Sequence, residues 1–300
     1  MSQILAAACS NQIPQRELIP GIREFSIKKQ QGTVADVQTD RIAIEEPLDI
    51  RIVITEKGKR KDRSISITMR TPGTDEHLAI GFLLSEGIIS RREDVARVRL
   101  CRSGSIVRVF LNDSLQVDLK RLQRHFFTSS SCGVCGKASI DAVTVQIPAA
   151  LCIGFPRISH ELIGQLPQRL RFSQILFEQT GGLHASGLFN SQGDLLSIAE
   201  DVGRHNALDK VIGGQWLTDA AVFEKSILVV SGRISFELVQ KALSVGIPII
   251  IAVGAPSSLA VELAQRHEMT LVGFTSRDRF NIYHDASRIA SSVPSVINHG

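Results

Sequence analysis

The sequence predicts an α/β protein built from two halves of different character, and three observations support this prediction. In the first half, short runs alternate between apolar and polar residues, which is typical of antiparallel strands. In the second half, short apolar runs alternate with glycine-bearing turns and helical segments, which indicates a mostly parallel sheet covered by helices. A Cys-x-x-Cys motif, formed by Cys132 and Cys135, lies between the two halves.

Length and composition are those of a soluble globular protein. The chain has 300 residues, of which 43% are hydrophobic and 21% are charged, and its formal net charge is +4. This length is sufficient for two domains, each with its own core. No apolar run reaches the length of a membrane span, and the apolar residues 4–9 are too few for a signal peptide and lack preceding basic residues. We therefore expect a cytoplasmic protein with reduced thiols and no membrane association.

The first half is predicted to be a small α+β domain that ends in the Cys-x-x-Cys loop. Residues 1–21 contain no periodic element and are expected to form a loose arm, so this domain spans residues 22–145. Two alternating segments, 50–55 and 64–69, predict an antiparallel hairpin that turns through the basic residues 57–63.

A helix and a further strand complete the prediction for this domain. The helix is expected over residues 75–86, capped by Thr74 and ended by Gly87. The strand is expected over residues 106–111, where apolar residues of high β-propensity predominate.

Cations are concentrated in two segments of the first half. Residues 57–63 carry five cations against one anion, and residues 91–124 carry nine arginines or lysines against four acids. Such segments indicate either solvated surfaces or the binding of an anionic ligand or partner.

The second half, residues 146–300, is predicted to be an α/β domain. Buried strands are expected at residues 226–230, 247–253 and 269–274, with helices at 235–245 and 258–267. Ligands of such sheets bind beyond the carboxyl ends of the strands. The candidate ligand loops are therefore residues 231–235, 254–258 and 274–279.

Two further segments combine glycine, histidine and charged residues. Residues 181–187 and 200–210 contain His184, Arg204 and His205, and a helix is expected to begin near the last of these. Exposed N–H groups at a helix start, next to an arginine, suit phosphate or pyrophosphate. Histidines that are hydrogen-bonded within a core are the alternative interpretation.

The Cys-x-x-Cys motif is compatible with sulfur chemistry, metal ligation or inert packing. Backbone N–H groups, a helix start and Lys137 would favour the thiolate forms of Cys132 and Cys135. A closed zinc site needs four ligands, and the three remaining cysteines are isolated in the sequence, at Cys9, Cys101 and Cys152. A structural disulfide does not fit a reducing compartment.

Several long motifs together resemble the formate dehydrogenase accessory sulfurtransferase family, FdhD/NarQ. Their order and spacing match that family at residues 45–48, 79–89, 132–136, 200–210, 231–241 and 271–274. The resemblance extends from about residue 22 to about residue 295. The N-terminal arm, residues 1–21, lies outside it.

The resemblance implies a cytoplasmic sulfurtransferase. A member of this family accepts sulfur from a cysteine desulfurase and passes it to the molybdenum cofactor, Mo-bis-molybdopterin guanine dinucleotide, which is destined for formate dehydrogenase. The resemblance also implies a cytidine-deaminase-like topology for the C-terminal domain, next to the smaller α+β domain. The family's persulfide cysteine corresponds to Cys132. Its cofactor-binding stretch, which would hold the guanine nucleotide, corresponds to Phe274, Thr275, Ser276, Arg277, Asp278 and Arg279.

The expected mechanism begins when the Cys132 thiolate attacks the outer sulfur of the desulfurase persulfide. Cys135 then either displaces that sulfur by forming a disulfide or only tunes the loop. Arg277, Arg279 and Arg204 are the cations expected near the pyrophosphate. The expected partners are the desulfurase, formate dehydrogenase and a second copy of the chain as a homodimer, whereas nucleic acid and membrane are not expected.

Two alternative functions compete with sulfur transfer. A chaperone that only binds the cofactor would leave the thiol pair without a task. A zinc-dependent nucleobase deaminase needs a His-x-Glu sequence followed by Pro-Cys-x-x-Cys. Here the order is reversed, Ser186 stands in the glutamate position after His184, and Ser131 stands in the proline position. No zinc is therefore expected.

Overall fold

The computed structural model describes residues 20–115 and 151–290. The Cys-x-x-Cys motif and nearly all of the predicted N-terminal arm lie outside these ranges. Within them, no helix combines the length and the apolar character required to cross a membrane.

The strands of the first half form a two-stranded ribbon and a four-stranded sheet. Their bounds are Ile22–Gln31 (β1), Val34–Ala43 (β2), Glu46–Glu56 (β3), Lys59–Arg70 (β4), Val95–Leu100 (β5) and Ile106–Leu111 (β6). The ribbon pairs β1 with β2, and the sheet has the order β4-β3-β6-β5. β3 and β6 are parallel, whereas the other neighbours in both sheets are antiparallel.

The hairpin of β3 and β4 confirms the predicted pairing, but its turn is shorter than predicted. Only Lys57 and Gly58 lie between the two strands, and both have positive φ angles, 49° and 73°. Two left-handed residues form the turn that best matches the twist of antiparallel strands. The strands therefore extend through most of the basic segment 57–63.

The predicted helix is α1, Asp75–Ser85, which packs on the inner face of the four-stranded sheet. Thr74 occupies the N-cap position but does not cap the helix, because its φ is 51° and its hydroxyl donates to the carbonyl of Gly73. Gly87 follows the helix end with a φ of 67°, a conformation that glycine adopts without strain.

The second half contains a six-stranded sheet that includes the three predicted strands. Its strands are His184–Phe189 (β8), Leu195–Asp201 (β9), Ile227–Val230 (β10), Ile249–Ala252 (β11), Thr270–Ser276 (β12) and Arg279–His284 (β13). They lie in the order β13-β12-β11-β10-β8-β9. Two short strands, Ile158–Ser159 (β7) and Ile289–Ala290 (β14), pair separately.

The prediction of a mostly parallel sheet is wrong. Only β10, β11 and β12 are mutually parallel. The β8–β9 hairpin and the hairpin partner β13 add three antiparallel pairings. Strands joined by short turns have to run antiparallel, so the sheet is mixed. The cytidine-deaminase-like description of this half stays a prediction.

Helices cover both faces of the six-stranded sheet. They are His160–Phe172 (α2), Ile175–Thr180 (α3), Arg204–Thr218 (α4), Phe236–Ser244 (α5) and Ser258–Arg266 (α6). Buried residues of α2 belong to the smaller apolar core, whereas those of α4, α5 and α6 belong to the larger core. The predicted helices at 235–245 and 258–267 are confirmed as α5 and α6, and the helix predicted near residue 205 is confirmed as α4.

The two halves share the larger core, because α1 crosses α4 at very short range. A Cβ atom placed on Gly81 of α1 would collide with the backbone carbonyl of Asp209 in α4. A Cβ atom on Gly213 of α4 would likewise collide with the carbonyl of His77 in α1. Glycine at these two positions therefore lets the helix backbones touch. The expected division into two domains near residue 145 stays a prediction.

Candidate functional site

A cavity of about 690 Å³ opens at one edge of the six-stranded sheet. Ser231 follows β10, Val253 follows β11 and Thr275 belongs to the end of β12, so the three parallel strands direct their carboxyl ends at the cavity. Strand β8 runs antiparallel to β10 and brings its first residue, His184, to the same edge. Three of the five segments singled out in the sequence thus contribute to one cavity.

Helices α2 and α3 supply the opposite wall of the cavity. Arg171 and Gln174, at the end of α2 and just beyond it, line the cavity together with Phe177 of α3. The Arg171 guanidinium lies 4.4 Å from the centroid of the Phe177 ring, which fixes the cation in a cation–π contact. No motif in the sequence predicted these residues as part of a site. The available signal was weak: a cluster of basic residues shortly before the glycine pair at 181–182.

The predicted cofactor stretch, residues 274–279, is not an open loop but comprises the end of β12, a two-residue turn and the first residue of β13. Thr275, Ser276 and Arg277 line the cavity. The remaining three residues do not line it, and Phe274 leaves 50% of its surface exposed. A Cβ atom on Gly164 of α2 would collide with the Arg277 carbonyl, so α2 packs directly on this turn.

The charge of the cavity lining favours an anionic ligand. Arg171 and Arg277 contribute two guanidinium groups, and the lining contains no carboxylate from the described residues. Burial, reinforced by the positive charge of Arg204, lowers the pKa of His184. The imidazole is therefore neutral at pH 7 and offers a hydrogen bond.

Two buried polar atoms at the cavity have no hydrogen-bond partner among the described residues. They are Nε2 of Gln174 and Oγ1 of Thr275, on side chains that are each 3% exposed. An unpaired buried polar group costs free energy, on the order of 1–3 kcal/mol. Groups of this kind recur at functional sites, and here they lie beside the cationic lining.

The segment 200–210 joins the two halves and does not line the cavity. Nζ of Lys210 lies 2.7 Å from Oδ2 of Asp201 and donates to the carbonyl of Thr71 in the first half. Asp201 also accepts a hydrogen bond from the backbone N–H of Gly203 at the start of α4. A carboxylate therefore already lies at this helix start. The phosphate site expected beside Arg204 stays a prediction.

The segment 231–241 has a similar structural role. Nζ of Lys241 lies 3.0 Å from the carboxylate of Asp209 and donates to the hydroxyl of Ser85 in α1. Lys241 and Asp209 are both buried. Within the second half, Ser235 of this segment contacts His205, with Oγ and Nε2 separated by 3.2 Å. Polar residues of two motifs are thus used to hold α1 against the second half.

Comparison with known proteins identifies the family. The family model described as "FdhD/NarQ family" matches residues 43–290. The chain belongs to the FdhD/NarQ family.

Named relatives of this FdhD/NarQ chain include three sulfur carrier proteins FdhD. The protein from Streptomyces coelicolor is 43% identical over 277 residues, which cover 89% of this chain and 95% of the relative. The protein from Mycobacterium tuberculosis is 44% identical, with 83% and 92% covered. The protein from Saccharolobus solfataricus is 39% identical, with 89% and 98% covered.

A solved structure shares the fold of this FdhD/NarQ chain. It belongs to a protein from Desulfotalea psychrophila that is described as a formate dehydrogenase accessory protein. The two structures align with a TM-score of 0.68 at 25% sequence identity, covering 90% of this chain and all of the other. The family assignment rests on the family model and the named relatives, and the solved structure shows the shared fold.

Proposed function

We propose that this chain is a sulfur carrier for the maturation of formate dehydrogenase. In this proposal it takes sulfur from a cysteine desulfurase as a persulfide on Cys132 and delivers it to the molybdenum cofactor. The observation that carries the proposal is the Cys132 and Cys135 pair in a chain that is 39–44% identical to named sulfur carrier proteins. We place the protein in the cytoplasm, where thiols stay reduced.

The first step is a transfer of neutral sulfur between two thiols. The Cys132 thiolate attacks the outer sulfur of the desulfurase persulfide, a Cys132–S–SH group forms, and the desulfurase cysteine leaves as its thiolate. Both residues of the pair lie outside the described residues. Lys137 is close in sequence and would stabilise the attacking thiolate.

The second step releases the outer sulfur at the oxidation level of sulfide. The Cys135 thiolate attacks the inner sulfur of the Cys132 persulfide, so a Cys132–Cys135 disulfide forms and hydrosulfide departs toward the cofactor. The two electrons that reduce the sulfur come from the thiol pair. A cellular dithiol then has to reduce the disulfide. In the alternative course, Cys135 only tunes the loop and the persulfide meets the cofactor directly.

The cavity is the proposed site for a guanine nucleotide arm of the cofactor. Arg277 and Arg171 match its pyrophosphate charge, and the apolar surface of Leu170 and Phe177 suits a purine ring. Gln174 offers a buried amide to the polar edge of the ligand. The molybdenum cofactor is cargo in this proposal, and homodimer formation stays a prediction.

Two other functions compete with this proposal. A chaperone without sulfur chemistry would use the same cavity, but it gives the thiol pair no role. For a zinc-dependent deaminase, the described residues contain no group of three or more histidine, cysteine or acidic side chains placed to hold a metal ion. Cys132 and Cys135 lie outside those residues, so the absence of zinc stays a prediction that elemental analysis can test.

Complementation tests the proposed function in a cell. A strain that lacks its own carrier is supplied with this chain or with the Cys132→Ser variant, and formate dehydrogenase activity is measured. We expect activity from the unchanged chain only, at equal amounts of soluble protein. Equal activity from the Cys132→Ser variant would leave the chaperone as the better account.

A further inference from the structure

The outer face of the four-stranded sheet carries a row of arginines. Arg51 of β3 pairs in register with Arg108 of β6, and Arg108 pairs with Arg99 of β5. Arg97 follows on the same side of β5, where it pairs with Phe110. We call Arg51, Arg97, Arg99 and Arg108 the arginine face. The opposite side of this sheet is buried against α1.

Carboxylates compensate only one end of the arginine face. Asp62 lies 2.6 Å from Arg51 and 2.8 Å from Arg108, so one carboxylate is shared by two guanidinium groups. Arg51 also contacts Asp49 at 3.0 Å. Like charges directly opposite each other on neighbouring strands are destabilising. The arginines paired across these strands therefore destabilise the sheet, and an anionic partner would reduce their repulsion.

The β5 end of the arginine face forms no ion pair with the other described residues. Arg99 is exposed and has no acidic partner within salt-bridge distance among them. Arg97 is also exposed, and its guanidinium is held 4.0 Å from the centroid of the Phe110 ring. A cation fixed over a ring loses less side-chain entropy when a carboxylate binds it. This end is a preformed site for negative charge.

The composition of the face suits a protein partner better than a nucleic acid. Ile67 and Met69 of β4 are 68% and 48% exposed on the same side of the sheet. Arginine, methionine and aromatic residues are enriched in protein interfaces, whereas lysine is depleted.

The path of the chain indicates which partner would dock here. The described residues end at Leu115, just after β6, so the segment that carries Cys132 starts from this sheet. The 17 residues from Leu115 to Cys132 can span up to about 3.3 Å each, which brings the thiol within reach of a protein on this face. The cofactor cavity belongs to the other sheet, so a protein docked here would leave it free.

We propose that the arginine face docks the sulfur donor, a persulfide-bearing protein, through an acidic surface patch of that donor. The inference rests on the proposed function, since the donor there is a cysteine desulfurase. It adds a docking surface made of residues other than the thiol pair and the lining of the cofactor cavity.

Binding of a purified cysteine desulfurase to the full chain tests the docking surface. The test variant is R97E/R99E, and the matched control is K28E/K29E, which makes the same charge change at exposed residues of β1. We expect the dissociation constant at about 0.1 M salt to rise at least about tenfold in the test variant and to stay within about twofold in the control. The variant R97K/R99K should retain most of the binding. Thermal unfolding of each variant checks that the sheet is intact.

Three outcomes would overturn the docking surface. The first is a desulfurase affinity of R97E/R99E within about twofold of that of the unchanged chain. The second is that the unchanged chain binds no desulfurase measurably. The third is that the unchanged chain binds duplex DNA of random sequence and R97E/R99E loses this DNA affinity but keeps its desulfurase affinity. Sulfur loading of the unchanged chain at saturating desulfurase keeps the two proposals apart. If the unchanged chain takes up sulfur on Cys132 but R97E/R99E binds the desulfurase with unaltered affinity, only the docking surface is wrong. If the unchanged chain takes up no sulfur, the proposed function is wrong.

Discussion

The ammonium group of Lys210 lies 2.7 Å from the Asp201 carboxylate, with both side chains buried where the two halves of the chain meet. Both residues also bind the backbone of Thr71: Asp201 accepts from its N–H at 3.1 Å, and Lys210 donates to its carbonyl at 2.7 Å. One ion pair from the second half thus satisfies both backbone groups of a buried residue in the first half. This contact helps to fix the four-stranded sheet relative to the six-stranded sheet.

Removing the cation of this pair should destabilise the whole fold. In Lys210→Met, Asp201 stays buried without its partner, and the loss of a buried charge partner costs about 3–5 kcal/mol. Urea unfolding measures the change in the free energy of unfolding. The control is Arg23→Met, which breaks an exposed pair with Glu46 and should cost less than about 1 kcal/mol. Similar losses in the two variants would contradict the role given to Lys210.

The close crossing of α1 and α4 predicts a strong effect of a single methyl group. In Gly81→Ala the new Cβ collides with the backbone of Asp209, which cannot move aside as a flexible side chain would. We expect a loss of about 1–3 kcal/mol or more. Gly182→Ala is the control, because the nearest atom to its new Cβ is 3.8 Å away. The crossing would be wrong if both variants unfolded at the same urea concentration.

The cavity predicts different roles for two neighbouring arginines. Arg277 lines the cavity and Arg279 does not. Calorimetry with guanosine diphosphate should show affinity reduced by about 1–3 kcal/mol in Arg277→Ala and nearly unchanged in Arg279→Ala. Affinity of the unchanged chain should also fall as salt screens the attraction. Equal losses of affinity in both variants would indicate that the phosphate binds on the surface of the β12–β13 turn and not in the cavity.

Stability should depend on pH through His205. Burial, reinforced by the charges of Arg204 and Lys241, lowers the pKa of His205 from 6.5 to about 4. Between these values the unfolded chain binds a proton that the folded chain does not, so stability falls as pH decreases from 6.5 toward 4. In His205→Gln this contribution is absent. The difference in unfolding free energy between the unchanged chain and His205→Gln should therefore become smaller as pH falls. A difference that does not change with pH would contradict the lowered pKa of His205.

Local sequence was sufficient to predict the three parallel strands and three of the helices of the second half. Residues such as Ile249, Ile250 and Ile251 form a short β-branched run between glycine-bearing turns, and this pattern specifies a buried strand without reference to the rest of the chain. The same holds for α1 and for the β3–β4 hairpin. The ribbon of β1 and β2 was not predicted, because most of its residues are exposed on both faces and its sequence lacks a buried stripe.

The remaining features depend on contacts between distant segments. The pairing of β8 with β10 joins the β8–β9 hairpin to the parallel strands, and the sequence of β8 does not encode its neighbour. His184, Ser231 and Arg277 could each be suspected, but their meeting in one cavity is a consequence of the strand order. Asp201 and Lys210 have the residue types of a ligand site, and only the structure assigns them to a buried junction.

Other thiols of the chain could accept sulfur in place of Cys132, so the test of the persulfide needs a matched control. The described residues contain two free cysteines, and Cys152 is exposed. The hydrogen bond with Ser103 lowers the pKa of Cys101 to about 7. A thiol with this pKa is appreciably ionised at pH 7 and can take up sulfur without any special loop. Cys101→Ser is therefore the control that matches Cys132→Ser.

The most direct test is the mass of the chain after incubation with a cysteine desulfurase and cysteine, followed by peptide mapping without a reductant. We predict a gain of one sulfur atom on the peptide that contains Cys132, retained in Cys101→Ser and lost in Cys132→Ser. Sulfur found on Cys101, or no gain of sulfur at all, would contradict the proposal that Cys132 carries the persulfide.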